Sequence, residues 1–546
     1  MKGLMQDWPL LVHTVIDHAA INHGDAEVVS RTVEGPMHVT NYAEINARSR
    51  KLASALKRRG CGFGDVIGTM AWNGYRHMEA WYAIAGLGAV YHTLNPRLFE
   101  KQLDYIVNHG GDQLILVDLT FVPLIEKLIA RFPRVRDIVI MTDSAHMPDT
   151  SLKNAICYEE LLAEGDDDFS WPQFDENTAC GLCYTSGTTG NPKGVLYSHR
   201  SNVLHAMAAN FADVLAIKST DVVLPVVPMF HANAWALTFA APMMGAKMVM
   251  PGEKMDGESI YQLLTEEKVT FTAAVPTVWL MLLQYLEKAG GELPDLERVA
   301  IGGAACPPAV IDAFENKYGV RVMHAWGMTE MSPLGTLVSM KAGMEDLDEQ
   351  ALWAIKLKQG RSFYTVEMKI VDDDGNEQPR DGETSGTLVV RGPAVSGEYY
   401  KGEGGQILDQ EGWFGTGDVG TIDPYGFFQI TDRSKDVIKS GGEWISSIDL
   451  ENVAVGHEAV AEAAVIGIAH PKWDERPLLI VVLKPGAKAT KEDILGFLKG
   501  QIAKWWMPDD VSFVDEIPHS ATGKIDKVTL RRQFEDYVLP TAHAAE

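Results

Sequence analysis

Apolar and polar positions follow two rhythms along the chain. Residues 41–59 carry apolar side chains at helical spacing and stop at Gly60, which predicts an amphipathic helix. Residues 66–72 form a short apolar run and predict a buried strand. Residues 76–87 predict a helix closed by Gly88. Further strands are predicted at 114–118 and 137–142, with a helical pattern between them. Such βα alternation implies a mostly parallel sheet covered by helices. The pattern returns between residues 222 and 323, with strands expected at 269–274, 298–301 and 320–324. The stretch 222–250 is apolar enough to suggest a membrane span. Pro225, Pro228, His231, Asn233 and Pro242 argue against a continuous helix there, so a buried strand, a loop and a short core helix are expected.

Past about residue 352 the texture changes. Runs at 366–370, 386–391 and 426–431 read as strands between Gly, Pro and Asp turns, with a hairpin-type turn at residues 373–376. After Asp432 and Arg433 a small α+β unit is expected. It comprises a helix at 447–455, strands at 460–468 and 478–483, a helix at 491–503 and a polar loop at 518–524. The expected class is α/β. A large N-terminal domain, residues 1–434, holds helix-covered sheets plus a β-rich subdomain, and a small mobile α+β domain spans residues 435–546.

Composition narrows the function. The 546 residues are 46% hydrophobic and 22% charged, as in a globular protein with a substantial core. Subtracting 74 acidic from 48 basic residues leaves a net charge of −26, which argues against sequence-independent nucleic-acid binding. Five scattered cysteines suit a reducing cytoplasm, and the Cys180/Cys183 spacing reads better as buried strand thiols than as a redox pair. Residues 1–20 show no pattern of a cleaved secretion signal.

The strongest local signal runs from Tyr184 through Thr185, Ser186, Gly187, Thr188, Thr189, Gly190, Asn191 and Pro192 to Lys193 and Gly194. Glycines admit backbone N–H groups to phosphate oxygens, hydroxyls donate and a lysine neutralises charge, so the loop suits an oligophosphate. A strand is expected to feed it and a helix, from about Arg200, to follow it. It is not the P-loop of NTPases, because Lys193 is followed by Gly194. Four other segments carry chemistry: Pro228 to Trp235 with His231; Gly302 to Ala305 followed by Trp326 to Glu330; Trp413 to Asp418 followed by Asp432 to Asp436; and Ile517 to Lys524.

Together, and in this order, these segments resemble the adenylate-forming superfamily of acyl-CoA synthetases, luciferases and peptide-synthetase adenylation domains. The likeness runs from about residue 25 to 530. It implies that ATP or AMP is bound by residues 185–190, Lys193, Gly303, Ala304, Ala305, Trp326, Gly327, Met328, Thr329, Asp418 and Arg433. Asp418 would hold the ribose hydroxyls and Glu330 a Mg²⁺ ion. Lys524 and His231 would be catalytic, and His231, Trp235, Gly302 and Pro333 would wall the acyl pocket. Lys435 would be the hinge, and Lys439, Gly441, Gly442 and Trp444 would line the coenzyme A tunnel. Trp326 stands where relatives often have Tyr, a change that removes a hydroxyl and adds bulk.

The likeness implies an AMP-forming acyl-CoA ligase using ATP and coenzyme A. The Phe230 to Asn233 run lacks the acid that amino-acid-activating members use, and the chain ends shortly after Lys524 with no carrier domain. A free-standing ligase is therefore favoured over an enzyme that loads a carrier protein. Trp235 and Trp326 point to a short or medium acid. The whole-chain look resembles bacterial ligases of that class, the 3-methylmercaptopropionate-CoA ligases among them, and that acid is the first single choice. A general medium- or long-chain fatty-acid ligase is the alternative. A homodimer is the family-level expectation.

Overall fold

The computed structural model describes residues 1, 3–185, 191–433, 435–440, 443–520 and 524–542, with the side chains of Arg433, Glu443 and Trp444 outside that description. Among the described residues the strands form four sheets. The first holds seven strands, in spatial order Ala155–Cys157, Asp137–Ile140, Leu114–Val117, Val66–Met70, Val90–Thr93, Ala179–Tyr184 and Gly194–Ser198. Every neighbouring pair is parallel except the last. Its central strands Val66–Met70, Val90–Thr93 and Leu114–Val117 are buried along their whole length, as expected of a parallel sheet covered on both faces.

The second sheet has nine strands, with a parallel centre running Arg321–Gly327, Arg298–Ile301, Phe271–Ala274, Val222–Pro225, Lys247–Met250 and Glu27–Arg31. The third is a four-stranded antiparallel meander of Glu367–Val371, Gly386–Arg391, Phe414–Ile422 and Phe428–Arg433. The fourth follows residue 437 and holds Glu443–Ile445, Ile438–Ser440, Asp474–Leu483 and Val460–His470, with Asp510–Phe513 parallel to Asp474–Leu483.

The helices obey local rules. Tyr42–Arg58 starts where Asn41 accepts the Glu44 N–H at 2.9 Å and carries Lys57 and Arg58 in its last turn. Gly60 stops it at φ 76°, a conformation that costs glycine little. Tyr75–Gly86 is buried along its whole length, and its Trp81 stacks on Tyr91 at 4.6 Å.

One expectation changes and three elements were not foreseen. Between Tyr184 and the helix, which begins at His199 beside the expected Arg200, lies a further strand, Gly194–Ser198, antiparallel to Ala179–Tyr184. The second strand is only half alternating, so its five residues blend into the loop's polar tail. The Gly-Thr-Gly-Asp stretch lies inside the long strand Phe414–Ile422, where pairing on both sides overrides glycine's low strand preference. The helix expected over 491–503 ends at Leu498, and Gly500 at φ 87° turns the chain. A helix at His13–Asn22 went unread because its apolar face is interrupted by histidines.

One buried ionic network ties the first helices together. Arg48 donates to Glu79 at 2.6 Å and to Glu159 at 3.0 Å, Arg76 meets Glu159 at 2.9 Å and Glu34 at 2.7 Å, and Tyr158 donates to Glu79 at 2.7 Å. Glu79 has no exposed side-chain surface. Glu79→Ala leaves Arg48 with Glu159 alone and takes from the buried Tyr158 hydroxyl its 2.7 Å acceptor. It is expected to cost about 1–3 kcal/mol, read as a lower urea midpoint with an unchanged slope.

Candidate active site

Parallel strands deliver their following loops to one edge of a sheet, and ligands of open α/β sheets lie at that carboxyl edge. Here Val222–Pro225 leads to His231, Phe271–Ala274 to Val275, Arg298–Ile301 to the segment Gly302 to Ala305, and Arg321–Gly327 to Met328, Thr329 and Glu330. These four strands are consecutive neighbours in the second sheet, so motifs a hundred residues apart in sequence share one rim.

Facing the rim is the base of the first sheet's last strand pair, with Lys193 over Tyr399. Ser186, Gly187, Thr188, Thr189 and Gly190 lie outside the described residues. At this base the Thr185 N–H donates to the Lys193 carbonyl at 2.9 Å. The Lys193 ammonium sits 4.7 Å over the Tyr399 ring. Tyr399 in turn donates to Glu330 Oε1 at 2.6 Å, and the Glu330 carbonyl accepts the Ser396 N–H at 2.7 Å. Burial pushes the Glu330 carboxyl up, opposed by the Tyr399 hydrogen bond and the charge of Lys524. A cavity of about 500 Å³ opens beside it, lined by Tyr197, Glu330, Ser332, Ser396 and Tyr399. Thr329 is buried, and its carbonyl accepts from Tyr197 at 2.7 Å.

The His231 side chain is held down to about 4, first by burial and then by the Lys524 ammonium, so the imidazole is neutral near pH 7. The next five residues, 232–236, all have positive φ, from 43° to 65°, and none is glycine. Left-handed backbone costs roughly 1–2 kcal/mol per residue for most side chains. Asn233 holds the turn from below: it donates to Asn202 at 3.2 Å and accepts from Tyr91 at 3.2 Å, while Asn202 donates to Tyr91 at 3.0 Å. The turn lays Trp235 over the glycine pair. A Cβ on Gly302 would stand 3.3 Å from the indole and 2.9 Å from the Ala325 carbonyl, so a side chain there would crowd both. Gly303 is half-buried, Ala304 exposed and Ala305 half-buried along the open rim.

Trp326 does more than replace a hydroxyl with bulk. Its indole N–H donates to Asp418 Oδ2 at 2.8 Å, with both residues buried. Gly327 passes so close to the Pro333 carbonyl that a Cβ would lie 2.1 Å from it, and that carbonyl accepts the Met328 N–H at 2.9 Å. Arg433 stands opposite Asp418 in antiparallel register.

The fourth sheet supplies the remaining residues. The Lys435 carbonyl accepts from Arg531 at 3.1 Å. Lys439 is exposed and pairs in register with Trp444 on the edge hairpin, while Gly441 and Gly442 lie outside the described residues. The Lys524 carbonyl accepts the Ser520 N–H at 2.7 Å. Lys524 acts electrostatically on both His231 and Glu330, and Asp418 also acts on Glu330. Lys524 is thus within electrostatic reach of His231 and Glu330, and Asp418 within reach of Glu330. Tyr399 and Asn233 were not singled out by motif spacing: one sits in a Gly-rich loop 69 residues past its partner Glu330, and the other looks like a loop amide.

Among the described residues no cluster of three or more His, Cys, Asp or Glu side chains is gathered around a point that could hold a metal, and no helix is long and apolar enough to cross a membrane. All five cysteines are buried and unpaired.

Residues 16–400 match the family described as AMP-binding enzyme, and residues 449–524 match the AMP-binding enzyme C-terminal domain. A 3-methylmercaptopropionyl-CoA ligase of Ruegeria lacuscaerulensis is 50% identical over 536 residues, covering 98% of this chain and 99% of the relative. A medium-chain-fatty-acid–CoA ligase of Ectopseudomonas oleovorans is 46% identical over 539 residues, covering 99% and 98%. The fold is shared with an anthranilate CoA ligase solved with anthranoyl-AMP, at a TM-score of 0.86, 24% identity and coverage of 97% and 99%. The chain belongs to the AMP-binding enzyme family.

The convergence of Lys524 on His231 has a direct readout. Lys524→Met removes a positive charge that opposes the imidazolium, so the His231 pKa should rise from about 4 while burial keeps it below 6.5. Imidazole NMR titration of histidine-labelled protein measures this, and an unchanged value would show that the two groups do not meet in solution.

Proposed function

We propose that the chain is an AMP-forming acyl-CoA ligase acting on a short or medium carboxylic acid. The convergence of Lys524 with His231 and Glu330, from separate sheets, carries this reading. In the first half-reaction a carboxylate oxygen attacks the α-phosphorus of ATP, and the bond to the bridging oxygen breaks to release pyrophosphate. Two anions must meet, so positive charge has to be placed for the transition state. Lys524 supplies it, while residues 185–190 and Lys193 hold the outer phosphates. Asp418, assisted by Arg433, takes the ribose hydroxyls. Gly303, Ala304, Ala305, Trp326, Gly327, Met328 and Thr329 line the nucleotide's path. His231, neutral, sits beside the carboxyl group without adding a charge that would trap it. Trp235, Gly302 and Pro333 wall the acyl chain.

The buried Glu330 carboxylate, with one oxygen held by Tyr399, fits a Mg²⁺ ion that takes its other ligands from phosphates. When bound, the ion neutralises charge developing on the phosphates.

In the second half-reaction the coenzyme A thiol loses its proton and its sulfur bonds to the adenylate carbonyl, expelling AMP. Lys524 is then no longer required. Residues 435–546 would swing as a cap on residues 1–434 about Lys435, bringing Lys439, Gly441, Gly442 and Trp444 to the thiol's path. The acid named for the 50%-identical relative, 3-methylmercaptopropionate, is the first choice, since a thioether packs well on indole faces. The 46%-identical relative is named for medium-chain fatty acids and supports straight-chain acids as the alternative. Five unpaired thiols suit the cytoplasm, and the exposed Leu4, Met5 and Trp8 suit burial in a homodimer.

Two outcomes test the reading. Lys524→Ala should lower adenylation by about 10²–10³-fold yet largely spare thioester formation from preformed acyl-adenylate. Equal loss in both half-reactions would refute the role. Pyrophosphate release across acetate, butyrate, hexanoate, decanoate, benzoate and 3-methylmercaptopropionate should peak at the last. A peak among the straight-chain acids would move the enzyme to general fatty-acid activation.

A further inference from the structure

Trp326 and Asp418 come from different sheets. Trp326 lies near the end of Arg321–Gly327 in the second, and Asp418 lies within Phe414–Ile422 in the third. The 2.8 Å bond from indole Nε1 to Asp418 Oδ2 spans the junction. An indole N–H only donates, so this contact cannot reverse its sense as a hydroxyl could.

The ring is fixed on two further sides. It packs against Gly335, where a Cβ would fall 2.6 Å from the six-membered ring, and it meets Phe428 edge-on at 5.9 Å and 69°. An indole clamped in this way has one direction in which to offer its hydrogen. The Asp418 backbone is set as well, because its N–H donates to Thr416 Oγ1 at 3.1 Å. What remains soft in an aspartate is the torsion that spins the carboxylate plane. The indole restricts that freedom.

We propose that Trp326 is a positioning residue for ribose recognition, holding one oxygen of Asp418 so that the carboxylate plane is preset to receive the 2′ and 3′ hydroxyls. This rests on the assignment of Asp418 to the ribose. It gives the tryptophan a task that phenylalanine cannot perform and that is separate from walling the acyl pocket. Gly335 belongs to the same device, because any side chain there would push the indole off its line.

The experiment measures AMP, 2′-deoxyAMP and 3′-deoxyAMP binding by calorimetry, with the KM of the acid alongside, for the full chain and its variants. The unaltered enzyme should bind at least one deoxynucleotide about tenfold or more weakly than AMP, the effect of losing a hydrogen bond to a charged group. Trp326→Phe should weaken AMP about tenfold and that deoxynucleotide little, collapsing the ratio while the KM of the acid holds. Gly335→Ala, which displaces the ring but keeps its N–H, should reduce the ratio in the same direction and covers the case of a poorly folded Trp326→Phe. Equal weakening of all three nucleotides would overturn the proposal and leave Trp326 a packing residue. A loss confined to the acid would overturn it in favour of an acyl-wall role. No discrimination by the unaltered enzyme would bring down the ribose assignment of Asp418 and this proposal with it.

Discussion

A carboxylate and a triphosphate repel each other, and a chain with a net charge of −26 adds to the repulsion. Local placement of positive charge is the constraint that the rest of the proposed site serves. Lys524 comes from the small fourth sheet, far along the chain from the rim it faces. Its influence on His231 and Glu330 shows how this is arranged: one neighbour is held neutral and the other is a carboxyl whose ionisation it helps. The neutral imidazole of His231 adds no positive charge of its own beside it. Lys193 is kept apart, over the face of Tyr399.

Much of the architecture was legible because it depends on patterns a few residues wide. The βα alternation announces itself as apolar runs separated by helical spacing, and the loops after parallel strands must open on one edge. Motifs centred on His231, Gly302 and Glu330 thus gather at one rim without any knowledge of pair contacts. In the small α+β unit the helix Ser447–Val455 and the strand pair Val460–His470 and Asp474–Leu483 were readable in the same way, while the strands Ile438–Ser440 and Asp510–Phe513 were too short to show a pattern.

The rest depends on partners that sequence spacing does not reveal. The hairpin after Tyr184 was hidden because a five-residue strand beside a polar loop carries too little periodicity. The long strand through Asp418 was hidden by its own glycines, which only tertiary pairing makes tolerable. Tyr399 is visible as an aromatic residue but not as the link between Lys193 and Glu330. The largest gap concerns Trp326. The sequence offered a missing hydroxyl, whereas the structure offers a new N–H donor on the carboxylate two sheets share.

The left-handed turn at residues 232–236 has a consequence for how this enzyme can be altered. Five non-glycine residues held at positive φ are a store of conformational free energy, kept in place by the Tyr91, Asn202 and Asn233 triad beneath. Glycine at Ala234 would release part of it while leaving His231 and Trp235 unchanged. Selection for heat resistance would favour such a change, and the seat of Trp235 would become looser as the fold became firmer. Thermal robustness and a firm seat for Trp235 are thereby set against each other within one turn of backbone.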